Sequence, residues 1–245
     1  MKIIAHRGAS FYAPENTMSA FKLAMEYGVD GIEMDVHVTK DGKIVVIHDD
    51  TTGRTGTQNL EIKTNDLETL KKVDVGSWFD TKYQGEQIPI LDNLIKEVPS
   101  KFELYIEIKS EPDTVPIYYD FFSDHKELKN RAVIFGFNYN VMTKIKKLLP
   151  DFTVLWIVEY GYNVPISSKM YDDVYGKITD ANLNGISTHA DLTHCSNMEK
   201  AIKKHDWIWN VWTVDNPHLA KQLMNLGVAT LTTNRPDWIM KHLFA

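Results

Sequence analysis

Seven ionisable residues stand in or beside short apolar runs of this 245-residue chain, where a buried strand would leave them costly to keep. The run Lys2 to Ala5 stops at His6 and Arg7. An imidazole and a guanidinium at the end of a core strand imply something for them to hold. In "GIEMDV" Glu33 and Asp35 are two apart, so on a strand both point to one face, and "YIEIKS" repeats the spacing with Glu107 and Lys109. Three converging carboxylates repel one another unless a cation sits among them, and a divalent metal is the simplest resolution. Carboxylate ligands without cysteine or a histidine pair favour Mg²⁺ or Ca²⁺ over zinc, and three ligands leave open positions for water or a phosphate oxygen. The competing reading makes Glu33 and Asp35 surface residues paired with lysines. One Glu-x-Asp alone would favour it, whereas two acidic pairs at strand ends favour a site.

His6 and His48 each end an apolar run. Imidazoles on opposite sides of a phosphorus would let one take a proton from the attacking oxygen while the other protonates the leaving alkoxide. Arg7 and Lys109 would supply the positive charge that an anionic phosphodiester needs. Trp212 in "VWTVD" and Phe137, both at strand ends, are candidates for a wall against the substrate's alcohol, and equally for core or rim packing. His37, His189 and His194 lie near strand ends with no partner evident and take no role. Lys144, Lys146 and Lys147 read as a solvated helix face.

The elements that must position these residues recur along the chain. Strand-like runs cover Lys2 to Ala5, Gly31 to Val36, Leu104 to Lys109, Ala132 to Phe135, Thr153 to Val158, Leu183 to Ser187, Ile208 to Thr213 and Ala229 to Thr232. Helical spacing covers Asn16 to Tyr27, Thr114 to Leu128, Tyr139 to Leu149, Met170 to Ala181, Cys195 to Lys204 and Pro217 to Leu226. Eight β/α alternations at this length predict a TIM (β/α)8 barrel in the α/β class. A doubly wound open sheet competes, but no Gly-x-Gly-x-x-Gly turn follows any strand. An extra strand, Lys43 to His48, follows the Asp41-Gly42 turn. Residues 50–87 are rich in Thr, Gly and Asp and read as a small insertion, too small to own a core, within one domain spanning 1–245.

Composition narrows the classes further. A net charge of -6 argues against a nucleic-acid surface, which needs a basic stripe. The single cysteine, Cys195, excludes an intramolecular disulfide and a thiolate metal cluster. Residues 1–8 lack an apolar leader segment and no stretch approaches a membrane span, so the expected compartment is the cytoplasm.

The run "AHRGASFYAPENTMSAFKLAMEYGVDGIEMDVHVTKDGKIVVIHDDTTGRTG" resembles the glycerophosphodiester phosphodiesterases, whose signature is HRG, PENT, E-x-D, a D-G turn and HD. The resemblance continues through "VDVGSWFDTKYQGEQIPILDNLI", "YIEIK", "VWTVD" and "GVATLTTNRP", and so spans essentially the whole chain. It implies a TIM barrel with a small insertion after the second β/α unit. It further implies one divalent metal on Glu33, Asp35 and Glu107, acid/base roles for His6 and His48, and phosphate contacts from Arg7 and Lys109. The implied reaction cleaves a deacylated phospholipid such as glycerophosphocholine or glycerophosphoethanolamine to sn-glycerol 3-phosphate and an alcohol. The attacking oxygen is the glycerol 2-hydroxyl, through a cyclic phosphate, or water directly.

Two positions depart from the family pattern. Thr233-Asn234-Arg235-Pro236 stands where T-D-x-P is common, making a polar contact neutral, and Gly136-Phe137 stands where Ser-Phe is common. Both bear on substrate preference. Three alternatives remain: phospholipase D-like cleavage of lysophospholipids, glycoside hydrolysis by paired carboxylates without metal or histidine roles, and a non-catalytic phosphodiester-binding protein.

Overall fold

A computed structural model describes residues 1–160 and 167–244. Among these residues nine strands form: β1 Lys2–Ala5, β2 Gly31–Val38, β3 Ile44–Val46, β4 Glu103–Ile108, β5 Ala132–Gly136, β6 Thr153–Val158, β7 Gly185–His189, β8 Ile208–Trp212 and β9 Thr230–Thr233. The helices among the described residues are α1 Met18–Tyr27, α2 Leu67–Leu70, α3 Leu91–Glu97, α4 Val115–Asp124, α5 Tyr139–Leu148, α6 Ser168–Asp180, α7 Leu192–His205, α8 Pro217–Asn225 and α9 Pro236–Leu243. β1 pairs in parallel with β2, β2 with β4, and β5 through β9 pair successively in parallel. The strand order β1-β9-β8-β7-β6-β5-β4-β2, with β1 also paired to β2, is that of the eight-stranded TIM barrel. Among the described strands only β3 runs antiparallel, on β2, with Val36 opposite Val46.

The chain falls into two compact units. One comprises Ile4–Ser110 with Asn234–Pro236, the other Met1–Ile3, Glu111–Thr233 and Asp237–Ala245. In the first, every residue of β2 is buried, which is why its alternation is hard to read and why its two acids stand out. Helix α1 starts where Thr17 accepts from the Ala20 amide and donates to the Pro14 carbonyl, so "PENT" is a helix entry. In the second unit, Asn138, Asp191 and Asn216 cap α5, α7 and α8 in the same way. No helix among the described residues is long and apolar enough to cross a membrane.

Residues 50–87 lie between β3, the partner of β2, and helix α3, which the residue spacing did not predict. α3 has only seven residues and no side-chain cap, so it leaves little periodic signal. The insertion also buries more than its polar composition suggested. Ile62, Leu67, Leu70, Val73 and Val75 pack with Ile88 and with Val45 and Ile47 around β3. Its core is thus completed by the β3 segment.

Candidate active site

Each candidate residue of the first unit lies on or just beyond a strand. His6 and Arg7 follow β1, Glu33 and Asp35 lie on β2, His48 follows β3, Glu107 is the last residue but one of β4 and Lys109 follows that strand. The register places Asp35 directly beside Glu107 and Glu33 beside Tyr105. Carboxylates two apart on one strand and level with a third on its neighbour must converge. Ligand atoms of Glu33, Asp35 and Glu107 all lie within 4.8 Å of one another, and the three side chains are buried.

Like charges this close cost about 4 kcal/mol per pair at an effective dielectric of about 20. Burial, then Asp35 and Glu107, pushes the Glu33 carboxyl well above its ordinary value. Burial and Asp35 lift Glu107 to about 7. Burial acts on Asp35 in the same direction, but Arg7, Lys109 and His48 outweigh it and hold that carboxyl low. Arg7 reaches Asp35 with Nε 3.2 Å from Oδ2, and Lys109 donates to Glu107 Oε1 at 2.9 Å. Two cations do not satisfy the cluster. Glu33 Oε1 is buried with no hydrogen-bond partner, and Asp35 Oδ1, buried likewise, has no hydrogen bond and only the Lys109 ammonium at 3.7 Å, an arrangement that costs stability unless a cation sits there. Oxygen ligands that are buried, close and orphaned fit a hard divalent cation.

The backbone after β1 serves the same cluster. Arg7 (φ 55°) and Gly8 (φ 80°) both adopt the left-handed region, and the turn aims the Arg7 amide at Glu33 Oε2, 2.8 Å away. His6 donates from Nδ1 to Asn234 Oδ1 at 2.7 Å, which leaves Nε2 without a proton, 4.0 Å from Glu33 Oε2. Burial and then the neighbouring Arg7 depress its pKa to about 4. On the other side, His48 donates from Nδ1 to Asp49 Oδ1 at 2.6 Å and accepts at Nε2 from Lys109 Nζ at 3.1 Å.

Several residues that hold this arrangement escaped sequence reasoning. Asn16, inside "PENT", donates to Asp35 Oδ2 at 2.9 Å and accepts from the Asp35 amide at 3.3 Å. His37, left without a role above, donates from Nε2 to the His48 carbonyl. Glu15 accepts from Arg7 at 2.8 Å. Glu15 and Asn16 were visible as members of "PENT", but neither their partners nor that of His37 were.

Phe137 and Trp212 belong to the second unit, directly after β5 and at the end of β8. Their rings meet edge to face at 5.9 Å, and Trp212 also meets His189 at 5.6 Å. Phe137 is exposed, and its carbonyl accepts from the Trp156 indole.

A barrel carrying acidic, imidazole and basic side chains at its strand ends defines a polar, anion-accepting enzyme site. The family model for the glycerophosphoryl diester phosphodiesterases matches residues 6–238. YhdW of Bacillus subtilis is 35% identical over 244 residues, covering 98% of this chain and 97% of its own length. A glycerophosphodiester phosphodiesterase of Caldanaerobacter subterraneus subsp. tengcongensis is 34% identical over 243 residues, covering 97% and 96%. Among solved structures, a phosphodiesterase of Oleispira antarctica in complex with sn-glycerol-3-phosphate superposes with a TM-score of 0.86 at 27% identity. It is matched over 100% of this chain and 97% of its own. The chain belongs to the glycerophosphoryl diester phosphodiesterase family.

Proposed function

We propose that this enzyme hydrolyses glycerophosphodiesters such as glycerophosphocholine and glycerophosphoethanolamine to sn-glycerol 3-phosphate and the free alcohol, using one divalent cation, Mg²⁺ or Ca²⁺. The observation that carries the reading is the orphaned Glu33 and Asp35 oxygens beside Glu107, flanked by His6 and His48. The product-bound Oleispira relative supports the same substrate class.

Glu33, Asp35 and Glu107 would hold the cation, which when bound would supply positive charge beside the phosphate and lower the pKa of a neighbouring hydroxyl. Arg7 and Lys109 turn part of their charge from the carboxylates to the phosphodiester oxygens as negative charge grows there. His6 is the base. Asn234 commits its Nδ1, and the unprotonated Nε2 takes the proton of the attacking hydroxyl as the new P–O bond forms. His48 is the acid: Asp49 fixes its ring at Nδ1, Lys109 turns from Nε2 to the phosphate, and the ring, entering the step as the imidazolium, delivers its Nε2 proton to the departing alkoxide as the old P–O bond breaks. The attacking oxygen is the glycerol 2-hydroxyl. The cyclic phosphate so formed is opened by water as the two histidines exchange roles.

Phosphorus NMR of a glycerophosphocholine digest tests this reading. It predicts glycerol 3-phosphate as the final product, preceded by a transient cyclic phosphate. Direct formation without the transient would replace the 2-hydroxyl by water, and release of phosphocholine would contradict the bond cleaved.

A further inference from the structure

Within the insertion, Arg54 makes two forks at once. Its Nε and Nη2 donate to Asp49 Oδ2 and Oδ1 at 2.7 and 3.2 Å, and its Nη1 and Nη2 donate to Glu15 Oε2 and Oε1, both at 2.8 Å. Each clamped carboxylate also holds a side chain of the site: Asp49 Oδ1 accepts from His48 Nδ1 at 2.6 Å, and Glu15 Oε1 accepts from Arg7 Nη1 at 2.8 Å. A continuous path of charge-assisted hydrogen bonds therefore runs from His48 through Asp49, Arg54 and Glu15 to Arg7. We propose that Arg54 is a positioning residue that aligns the histidine acid and the phosphate-binding arginine together, by clamping the carboxylate behind each. The proposal rests on the phosphodiesterase reading above for the roles of His48 and Arg7.

The loop that carries Arg54 is built to fix it. Thr52 is fully buried, donates its hydroxyl to the Gln58 carbonyl at 2.6 Å and accepts from the Leu60 amide at 3.0 Å. The Gly56 amide closes the loop on the Thr52 carbonyl at 2.7 Å, and a side chain at Gly56 would meet Val73 Cγ1 at 2.6 Å. The loop thus sits against the insertion's core, which relates a polar insertion to the site. Burial pushes the Asp49 carboxyl up, but the bonds from Arg54 and His48 outweigh it and keep the group at about 2, a charged anchor under all working conditions. Only a planar guanidinium can fill both forks. A lysine ammonium has the charge without the geometry. Arg54 itself is 45% exposed, and exposed ion pairs contribute little to folding, so its loss should leave the fold intact.

The test compares Arg54→Ala and Arg54→Lys with wild type, with Lys63→Ala, an exposed residue of the same insertion, as the control. With glycerophosphocholine and saturating Mg²⁺ or Ca²⁺, Arg54→Ala should lower kcat by about tenfold to a hundredfold and raise KM, because both ends of the path are loosened. Arg54→Lys should fail to recover the loss, added guanidinium chloride at non-denaturing concentration should restore Arg54→Ala in part, and Lys63→Ala should match wild type. Histidine-labelled nitrogen NMR of the metal-free protein supplies a readout that needs no turnover: the hydrogen-bonded His48 Nδ1 proton should be present in wild type and lost or fast-exchanging in Arg54→Ala. An Arg54→Ala variant with kcat and KM unchanged and an unaltered His48 signal would overturn the proposal, as would full rescue by lysine. Should wild type cleave no glycerophosphodiester, the activity reading fails while the NMR comparison still decides whether Arg54 orients His48.

Discussion

His6 has one ring nitrogen committed and one to spare. The committed one faces Asn234, which also accepts from Ser10 Oγ at 2.9 Å, so the amide oxygen is held by two donors and its orientation follows. Replacing it by a charged acceptor, Asn234→Asp, stabilises the imidazolium and raises the His6 pKa from about 4. A base works only when unprotonated, so the acid limb of the kcat/KM profile should move to higher pH in that variant. A limb that stays in place would separate Asn234 from catalysis. His6→Ala and His48→Ala should each lower kcat by about 10²- to 10⁴-fold with metal saturating, and near-normal turnover in either would sink the acid/base assignment. Much of this site could be read from sequence, because Glu-x-Asp and Glu-x-Lys on strands leave few places to point. Glu15, Asn16, Arg54 and His37 could not, since each acts through a partner 8 to 39 residues away that only folding brings within reach.

At the scale of elements, the turn after β1 is the tightest constraint on the site. A Cβ on Gly8 would sit 2.6 Å from the Ala20 carbonyl carbon and 2.7 Å from its Cβ, at a φ of 80° that side chains avoid. Gly8→Ala must therefore push α1 away or change the turn that aims the Arg7 amide at Glu33. It should cost about 1–3 kcal/mol in denaturant unfolding, with activity falling further than stability. An unchanged midpoint and rate would show that the close approach is not needed. The alternation of strands and helices was legible wherever helices ran to about three turns. It failed at the short helices α3 and α9, of seven and eight residues, and in the insertion, where Ile62, Leu67, Leu70, Val73 and Val75 meet through turns rather than through any period.

For the molecule as a whole, the acidic cluster links stability to metal and pH. Folded and metal-free, Glu107 keeps its proton up to about 7, whereas its ordinary value is 4.5. Between those values the folded state binds the extra proton, so this group's contribution falls as pH rises. His6 works the other way, its folded value near 4 against 6.5, so its contribution rises with pH until about 6.5. A divalent cation replaces protons on the carboxylates and cancels the first effect. The metal-induced rise in Tm should therefore be larger at about pH 7.5 than at about pH 5, and a rise independent of pH would argue that the cation binds elsewhere. On the proposed mechanism, Arg7 and Lys109 are the local basic pair that attracts an anion into a site whose own carboxylates would repel it.

The most direct test of the central claim is glycerol 3-phosphate release from glycerophosphocholine and glycerophosphoethanolamine after EDTA treatment, then after Mg²⁺ or Ca²⁺ is restored, with Glu33→Gln alongside. Release that stops with EDTA, returns with the cation and is lost in Glu33→Gln is the predicted result. Undiminished release in EDTA, or in the Glu33→Gln protein, would contradict a metal-assisted phosphodiesterase built on these three carboxylates.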